Sequence, residues 1–383
     1  MSRLEREVSK ERLSRSILVV ISDHGMEGVG GIPSSLQTYS EVWTSQLGEL
    51  NFFSPQRSSN FVFEARAAAE TITQINPDTI LLIHPTRYGL ATFYMLPDEV
   101  KSRVVAYWRT RTDQAHERKF DSVVGEMKHK LRAPVRSLIT SLRGSMAQYG
   151  VRHIANSRSV AHSLVLAGIS QDGDSIAIHR PPLHPRLERP YLDFEQRGSS
   201  FNILVVSRVS SEKGLEKIQW LSNQIIKSDI SNWNIRVVGP IVDSRYFEVL
   251  QKESIGLPIE FLGAKRWPEL ADFYASSHLL FMPSKTESWG QVTVEAIREG
   301  TPVLCLPSSG SEEIFEETNG SIGMLTEMGQ ESNVVRYLNL VREPKNWGLL
   351  SNNCIRESEK YKAEILCQKL LEDVVLGGSL FNG

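Results

Sequence analysis

Residues 279–306 (LLFMPSKTESWGQVTVEAIREGTPVLCL) contain two short apolar runs on either side of a segment with helical spacing. The apolar runs are Leu279–Met282 and Pro302–Leu306, and each has the length of a buried β-strand. The segment between them predicts a helix that begins at 290–291 and ends at Gly300, because glycine is favoured just after a helix C-terminus. A strand, a helix and a second strand of this size predict a crossover unit of a parallel sheet.

The same alternation of short apolar runs and helical segments continues along the chain. Further strands are predicted at Ile17–Ile21, Thr79–Ile83, Val104–Tyr107, His153–Ala155, Ser175–Ile178, Asn202–Val206, Ile235–Val238 and Ile259–Leu262. Apolar side chains three and four residues apart predict a helix from Leu36 to Leu50, with Ser34 or Ser35 as its N-cap. A last helix is predicted from about Asn353 to Val375. This order predicts an α/β chain with two doubly wound parallel sheets.

The composition of the sequence changes between residues 179 and 201. Four prolines and three arginines lie in the segment 179–190, and a polar stretch follows. Such a segment is typical of an interdomain connection. We therefore predict an N-terminal Rossmann-like domain at 1–190, a linker at 191–201, a C-terminal Rossmann-like domain at 202–360, and a C-terminal helix at 361–383 that crosses back to the first domain. The two domains are expected to face each other across a cleft.

Overall composition excludes several classes of protein. The 383 residues include 43 Lys and Arg against 45 Asp and Glu, a formal net charge of −2, whereas a nucleic-acid-binding protein usually has a clear basic excess. The hydrophobic share of 40% and the charged share of 23% are those of a globular chain. Cys305, Cys354 and Cys367 show no C-x-x-C spacing, which favours a reducing, cytoplasmic location. No apolar run approaches the ~18 residues of a transmembrane helix.

Two carboxylates flank the start of the predicted helix after residue 290. Glu287 lies in the loop that precedes the helix, and Glu295 lies about one turn inside it, so both can face the end of the sheet. Carboxylate oxygens accept hydrogen bonds from sugar and ribose hydroxyls, and the N–H groups of a helix N-terminus attract an anion. Two glutamates eight positions apart are common by chance, so this pair gains weight only from the cationic motif that precedes it in the chain.

That cationic motif follows the strand predicted at Asn202–Val206. Arg208 and Lys213 flank the strand-to-helix turn of residues 206–214, VSRVSSEKG. An α/β sheet binds its ligand at the carboxyl edge of its strands, and two cations at that edge suit a diphosphate. The glycine-rich loop Gly28–Gly31 after the first strand can also approach a phosphate closely, although it lacks the spacing of a dinucleotide-binding or P-loop motif.

In its second half the chain resembles the retaining glycosyltransferases of family 4, which have the GT-B fold. Glu287 and Glu295 match the E-x7-E motif of that family, and Arg208 with Lys213 is similar to its donor-phosphate motif. The stretch 300–313 resembles its G-x-P-V and G-G-x-x-E sequences, with a serine in place of the first glycine of the pair. The resemblance is strong from residue 202 to residue 325 and looser before residue 190.

The resemblance implies a metal-independent hexosyltransferase without a cofactor, which moves a sugar from a nucleotide diphosphate donor to a hydroxyl acceptor and retains the anomeric configuration. It implies that Arg208 and Lys213 bind the donor diphosphate and stabilise it as it leaves. It also implies that Glu287 contacts the donor sugar and that Glu295 holds the ribose. The neighbouring residues implied in donor binding are Ser288, Trp289, Gly290 and Gln291. The acceptor can be a glycan, a lipid-linked molecule or a small molecule.

The N-terminal half departs further from the family. Gly30 and Gly31 are similar to its Gly-Gly loop, which implies that they bring backbone N–H groups to the donor phosphates. The family often has a histidine after the strand that corresponds to Val104–Tyr107, and this chain has Trp108 and Arg109 there. These two residues are candidate sugar or acceptor contacts.

His84 ends a predicted strand and is a third candidate for a contact with the sugar or the acceptor. Capping or core packing is the alternative for this residue. The segment 101–143 is locally basic, with 11 Lys and Arg against four Asp and Glu. Solvated helix faces explain most such segments, and the alternative is a patch for an anionic acceptor or for peripheral contact with the inner face of a membrane. Two other functions stay open: a non-catalytic protein that binds nucleotide sugars, and a GT-B epimerase or hydrolase.

Overall fold

The structure is a computed structural model and describes residues 3–27, 31–56, 60–112, 133–173, 175–185 and 187–377. It divides into two compact units, each with its own parallel sheet. Unit 1 consists of Met1–His184 and Ala363–Gly383, and unit 2 consists of Pro185–Lys362. The chain therefore builds unit 2 from one continuous segment and returns to unit 1 with its last helix.

Unit 1 is a parallel sheet whose strands alternate with helices along the chain. Its strands are β1 (Ile17–Ser22), β2 (Glu49–Phe53), β3 (Thr79–Ile83), β4 (Val104–Trp108), β5 (Arg152–Ala155) and β6 (Ala177–Ile178). Its described helices are α1 (Arg3–Leu13), α2 (Gly31–Trp43), α3 (Phe61–Ile75), α4 (Arg87–Met95), α5 (Asp98–Lys101), α6 (Ala133–Ser145), α7 (Arg158–Leu166) and α15 (Ala363–Val375). The spatial order is β2-β1-β3-β4-β5-β6, and every pair is parallel.

Both faces of this sheet are covered, because successive side chains of a strand point to opposite faces. One face carries Tyr107 and packs against α2 and α15. The indole N–H of Trp43 donates to the carbonyl oxygen of Cys367 at 3.0 Å and fixes α15 on that face. The other face carries Trp108 and packs against α3, α4 and α7. Strands that are buried on both sides have no polar face, which explains the continuous apolar runs in the sequence.

Unit 2 repeats this architecture. Its strands are β7 (Phe201–Val206), β8 (Trp233–Val238), β9 (Ile259–Phe261), β10 (Leu279–Met282), β11 (Val303–Cys305) and β12 (Gly323–Leu325). Its helices are α8 (Lys217–Lys227), α9 (Ser244–Glu253), α10 (Glu269–Ala275), α11 (Gln291–Arg298), α12 (Ser309–Glu317), α13 (Glu331–Val341) and α14 (Pro344–Ser358). The order β12-β11-β10-β7-β8-β9 is parallel throughout. Strand order reverses between β7 and β10, and ligands of such sheets bind at the carboxyl ends of strands at that point.

The predicted pair of doubly wound α/β sheets is confirmed, but two strands were missed. The strands β2 and β12 lie at the sheet edges, and most of their side chains are half-buried. These two strands have a neighbouring strand on one side only, and their side chains are partly open to solvent. They therefore lack the continuous apolar run by which the inner strands are recognised.

Two predicted helices have different bounds. The helix expected to reach Leu50 ends at Trp43, because Leu50 belongs to β2. The helix begins at Gly31, so Ser34 and Ser35 lie inside it and neither is its N-cap. The last predicted helix is interrupted after α14 by a 3₁₀ turn at Glu359–Tyr361, whose buried tyrosine packs into unit 2, and α15 then begins.

The segment predicted as a linker packs on unit 2. The side chain of Arg197 is 2% exposed and donates to the carbonyl oxygens of Leu192, Tyr274, Ser277 and Glu299 at 2.7–3.3 Å. The last three of these carbonyls lie at the C-terminal ends of α10 and α11, where the helix dipoles favour a cation. This guanidinium therefore ties the segment to the ends of both helices.

Candidate functional site

The carboxyl ends of β7 and β10 are adjacent in the sheet of unit 2, and the predicted cationic and carboxylate motifs both leave the sheet there. After β7 the chain passes Arg208 and forms a 3₁₀ turn at Ser211–Lys213. After β10 it forms the loop that contains Glu287. The ammonium nitrogen of Lys213 lies 2.6 Å from Oε1 of Glu287, and the two side chains are 15% and 17% exposed. Motifs that are far apart in sequence thus meet in one largely buried ion pair.

A glycine permits this close approach of the turn to the loop. Gly214 has a φ of 65°, in the left-handed region, and a Cβ there would collide with the carbonyl oxygen of Pro283. Two further bonds join the same segments. The Lys217 ammonium donates to the Pro283 carbonyl at 3.2 Å, and the Lys285 backbone N–H donates to the carbonyl of Glu212 at 3.3 Å. The close packing of the two backbone segments therefore requires a glycine at position 214.

Arg208 lies at the surface of the same edge. Its Nη2 donates to Oε1 of Glu212 at 3.0 Å, and its side chain is 55% exposed. Exposed pairs of this kind contribute little to stability, typically below ~1 kcal/mol. The guanidinium is therefore accessible to an anion at the carboxyl edge at small cost.

Glu295 lies on the second turn of α11 and is held from two sides. Its Oε2 accepts a hydrogen bond from the hydroxyl of Tyr274 at 2.6 Å, and its Oε1 accepts one from the side-chain amide of Gln291 at 3.3 Å. Burial raises the pKa of the Glu295 carboxyl, although the bond from Tyr274 opposes the shift. Burial and the neighbouring Glu295 carboxylate raise the pKa of Tyr274 well above its ordinary value, which keeps its hydroxyl a donor.

The N-terminus of α12 closes the loop that carries Glu287. The backbone N–H of Gly310 donates to the carbonyl of Glu287 at 3.0 Å, and a Cβ at Gly310 would lie 2.6 Å from the carbonyl carbon of Trp289. A side chain at this position would displace the loop. The second glycine of the G-G-x-x-E sequence is therefore needed for backbone contact, whereas the first position accepts Ser309.

The four residues predicted to bind the donor, 288–291, differ in their exposure to solvent. The ring of Trp289 is 3% exposed and packs edge-to-face on Tyr361, with centroids 5.7 Å apart. The indole of Trp289 therefore packs the loop against Tyr361, and its buried faces are not accessible to a donor substrate. Gly290 is buried as well, whereas Ser288 and Gln291 are half-buried and lie at the start of α11.

A second ion pair beside the first was not indicated by the sequence. Lys285 lies 2.6 Å from Oε1 of Glu216, and the Tyr246 hydroxyl donates to Oε2 of the same carboxylate at 2.5 Å. Although burial opposes ionisation, hydrogen bonds from Lys285 and Tyr246 bring the pKa of Glu216 below its ordinary value. These groups come from three separate elements, so no local spacing could have revealed them, and the same is true of Tyr274.

In unit 1, the residues predicted to contact the donor or the acceptor differ in how deeply they are buried near the carboxyl ends of the strands. Gly31 is exposed and begins α2, and Gly30 lies outside the described residues. Trp108 is fully buried in the core, and its indole N–H donates to Nδ1 of His153 at 3.2 Å. The expected contact of Trp108 with a sugar does not fit this position, because the ring points into the sheet face covered by helices. Arg109 points to the other face and donates to the carbonyl of Gly31 at 3.3 Å.

His84 follows β3 in a left-handed backbone conformation, with a φ of 48°. Its Nε2 lies 3.1 Å from the hydroxyl oxygen of Thr110. Burial lowers the pKa of His84 to about 3, and the nearby cation of Arg143 adds to the shift. The ring is therefore neutral near pH 7, at the edge where β3 and β4 end.

The basic segment 101–143 is only partly described, since residues 113–132 lie outside the described ranges. Lys101 is buried and pairs with Asp98 at 2.8 Å. Arg143 donates to the carbonyl of Pro85 at 2.8 and 2.9 Å. These described cations make structural contacts within unit 1. Across the described ranges, no cluster of metal-ligating side chains forms, and no helix there is long and apolar enough to cross a bilayer.

Comparison with known proteins agrees with this fold. Residues 193–360 match the family model described as glycosyl transferases group 1. The structure of Anabaena HepE in complex with UDP and glucose aligns with a TM-score of 0.69, at 16% identity, over 94% of this chain and 99% of that one. WaaG, a glycosyltransferase involved in lipopolysaccharide biosynthesis, aligns with a TM-score of 0.65, at 16% identity, over 94% and 100%. The chain therefore has the GT-B fold, and the match to the group 1 glycosyl transferase model lies within unit 2.

Curated relatives match over shorter stretches. Sulfoquinovosyl transferase SQD2 of Arabidopsis thaliana is 29% identical over 42% of this chain and 30% of its own length. An uncharacterized 41.2 kDa protein in the cps region of Klebsiella pneumoniae is 30% identical over 48% and 50%. D-inositol 3-phosphate glycosyltransferase of Rhodococcus opacus is 30% identical over 35% and 30%. The chain thus spans no more than half the length of these relatives.

Proposed function

We propose that this protein is a glycosyltransferase that moves a sugar from a nucleotide diphosphate donor to a hydroxyl acceptor without a metal ion. The observation that carries the proposal is the pair of Lys213 and Glu287, 2.6 Å apart where β7 and β10 end. A cation for a phosphate and a carboxylate for sugar hydroxyls are thereby held side by side, with Arg208 on the same edge. That is the arrangement a sugar diphosphate requires.

In the proposed reaction, the bond between the anomeric carbon and the leaving phosphate oxygen breaks, and a bond from the acceptor oxygen to that carbon forms. Negative charge grows on the leaving diphosphate. The cations of Lys213 and Arg208 stabilise this charge, because they are in place before it develops. Glu287, oriented by Lys213, accepts hydrogen bonds from the donor sugar. The acceptor proton passes to the leaving phosphate, and the resemblance to family 4 supports retention of configuration.

We further propose that Glu295 accepts hydrogen bonds from the ribose hydroxyls of the donor. Tyr274 and Gln291 each use one acceptor position, one on either carboxylate oxygen, and an ionised carboxylate has about four. The remaining positions are available to a ligand at the start of α11. Gln291 and Ser288 are the half-buried residues that complete this part of the site, and the contribution of Trp289 and Gly290 is through their backbone.

UDP is the first nucleotide to test, because the matched HepE structures contain UDP and UDP-glucose. For the acceptor we propose a glycan or a lipid-linked molecule, in a cytoplasmic protein that contacts the inner face of a membrane peripherally. The structural neighbour WaaG, a glycosyltransferase involved in lipopolysaccharide biosynthesis, supports that class of acceptor.

A thermal-shift panel tests the proposal. The full chain is heated with UDP, GDP or ADP and with their common sugar conjugates, in EDTA and in magnesium. A nucleotide at about 100 times its Kd should add about 2.7 kcal/mol of stability, or a few degrees in Tm. Equal stabilisation by one nucleotide in EDTA and in magnesium supports a metal-free donor site. A shift that requires magnesium contradicts metal independence, and the absence of any shift contradicts the donor site itself.

A further inference from the structure

The carboxyl edge of unit 1 contains a buried cation that no described carboxylate neutralises. Arg109 follows β4 and is 6% exposed. Its Nη2 donates to the carbonyl oxygen of Gly31 at 3.3 Å. Its Nε and Nη1 are buried and have no hydrogen-bond partner. The guanidinium therefore makes one long bond where five donor positions are available.

Burial of an unpaired charge lowers the stability of a fold, because the desolvation of the charge is not compensated by hydrogen bonds or by an ion pair. The Tyr107 ring, 5.6 Å from the guanidinium carbon, offers a cation–π contact, but the hydroxyl of that tyrosine donates to the carbonyl of His179. Folds retain uncompensated groups of this kind chiefly at binding sites, where a ligand supplies the missing partner.

The neighbouring groups leave a positive edge. The carboxylate of Asp23, at the end of β1, accepts bonds from the backbone N–H groups of Thr86, Tyr88 and Gly89 at 2.6–3.2 Å, so it is occupied by the first turn of α4. The other titratable groups there include the neutral ring of His84, the imidazole of His24 and the guanidinium of Arg143. Arg180 adds a further cation, which donates to the carbonyl of Asn156 at 2.8 Å.

A helix N-terminus lies at the same place. The carbonyl that Arg109 contacts belongs to Gly31, the first residue of the 13-residue α2. The first turn of a helix presents N–H groups without intrahelical partners and attracts anions. Asn156, at the end of β5, adds a buried amide oxygen without a partner, and its Nδ2 donates to the backbone carbonyl of Arg109 at 2.9 Å. The unpartnered Oδ1 of Asn156 is an acceptor, so the groups that suit an anion at this edge are the unpartnered Nε and Nη1 of Arg109.

We propose that Arg109 binds an anionic group of the acceptor substrate, such as a phosphate, carboxylate or sulfonate. The inference rests on the proposed function, since only a transferase has an acceptor. The planar guanidinium fork matches the oxygens of these groups. The donor diphosphate already has the cations Arg208 and Lys213, and the family resemblance adds the N–H groups of the loop of Gly30 and Gly31, so the side chain of Arg109 is left for a second anion.

The test uses the full chain saturated with UDP, or with whichever nucleotide stabilises it, and titrated with inorganic phosphate while Tm is followed. Phosphate should raise the Tm of the wild type beyond the value in saturating nucleotide. Arg109→Met should weaken phosphate binding at least about tenfold and leave nucleotide affinity unchanged. Its Tm without ligand should equal or exceed that of the wild type, because an uncompensated buried charge has been removed.

Two further variants make the result specific. Arg109→Lys keeps the charge without the fork, so it should bind phosphate with intermediate affinity, and it serves if the methionine variant does not fold. Arg103 lies just before β4, at the other end of the strand, where it donates to Asn76 and Pro77. Arg103→Met should leave the phosphate response unchanged, so an equal loss in that variant overturns the assignment to Arg109.

Other outcomes overturn the inference in distinguishable ways. A lower Tm of Arg109→Met with unchanged phosphate binding makes Arg109 a structural residue. A tenfold loss of nucleotide affinity, with no phosphate response in saturating nucleotide, assigns Arg109 to the donor diphosphate. If no nucleotide binds, the proposed function fails, and phosphate titration of the ligand-free chain still tests Arg109.

Discussion

Lys213 and Glu287 lie 74 positions apart in the chain and form an ion pair of 2.6 Å where two neighbouring strands of unit 2 end. Each side chain is mostly buried, and each orients the other through the ion pair. In the proposed reaction, this preorganised pair acts on the diphosphate and on the sugar of the donor. Removing either partner therefore changes both the charge of the site and the position of the group that remains.

Lys213→Ala should lower kcat/KM by about two orders of magnitude or more, because it removes one strong contact to the charge that develops on the leaving group. Glu287→Gln keeps the size of the side chain and should mainly lower turnover. Steady-state kinetics with the donor found by the nucleotide panel measures both. Lys360→Ala is a matched control, since Lys360 pairs with Glu357 in unit 2 outside this edge. An undiminished rate in Lys213→Ala would remove the phosphate role of this lysine.

Tyr274→Phe should raise the Kd of the nucleotide about tenfold and leave kcat within about twofold, since one charged hydrogen bond that positions Glu295 is lost. The hydroxyl opposes the upward pKa shift that burial imposes on Glu295. Its removal should raise that pKa further, so nucleotide affinity should begin to fall at a higher pH as the solution is acidified.

Tyr337→Phe is the matched control for Tyr274→Phe. Tyr337 is a tyrosine of unit 2 whose hydroxyl donates to the carbonyl of Val303 at 3.1 Å, away from Glu295. Titration of both variants with nucleotide between pH 5 and pH 8 separates the two effects. A fall in kcat with unchanged nucleotide affinity in Tyr274→Phe would place Glu295 in the chemical step instead of on the ribose.

Gly310→Ala should disturb the Glu287 loop, because the added Cβ would lie 2.6 Å from the Trp289 carbonyl carbon. We expect a loss of about 1–3 kcal/mol in unfolding free energy, as in other overpacked sites, and at least a tenfold loss of activity. Gly348→Ala, in the helix α14, has no heavy atom within 4 Å of the new Cβ. That control should be neutral or stabilising by about 0.5–1 kcal/mol. Equal behaviour of the two variants in urea unfolding and activity would contradict the loop contact.

Stability should fall below about pH 6.5 through His278. Its Nδ1 accepts the backbone N–H of Asn202 at 3.0 Å, so the proton of the neutral ring is on Nε2, 2.9 Å from the carbonyl of Phe194. Burial lowers the pKa of His278 to about 4. The unfolded chain therefore binds a proton near pH 6.5 that the folded chain refuses until about pH 4, and unfolding free energy drops by about 1.4 kcal/mol per pH unit in that window.

Urea unfolding of the wild type and of His278→Gln, at pH 7.5 and pH 5.5, measures this contribution. The wild type should lose about 1.4 kcal/mol more than the variant between the two values, since the variant lacks the titrating ring. Above pH 7 the group is neutral in both states and contributes no pH dependence. Identical losses in the two proteins would show that His278 is not the group responsible. His153, whose pKa burial also lowers to about 4, should give the same slope in unit 1.

The sequence predicted the sheets and the edge at which the two candidate motifs leave unit 2, because both depend on local patterns. Inner strands are apolar on both faces, and Lys213 and Glu287 each follow such a strand, so parallel topology brings them to one edge. The bond from Tyr274 to Glu295 joins two helices and leaves no trace in spacing. The burial of Trp108 and Trp289 was equally unpredictable, because a residue just beyond a strand or within a loop can face core or solvent. The half-buried edge strand at Glu49–Phe53 lacks the apolar run that marked the inner strands.

Isothermal titration of the full chain in EDTA, with the nucleoside diphosphate that stabilises it most, tests most directly whether the carboxyl edge of unit 2 is a metal-free diphosphate site. The wild type should bind without metal, and Lys213→Met should bind about 10- to 100-fold more weakly, as expected for the loss of a charge-assisted hydrogen bond. Lys360→Ala should bind like the wild type. Equal affinity of Lys213→Met and the wild type, or binding that appears only when magnesium is added, would contradict this assignment.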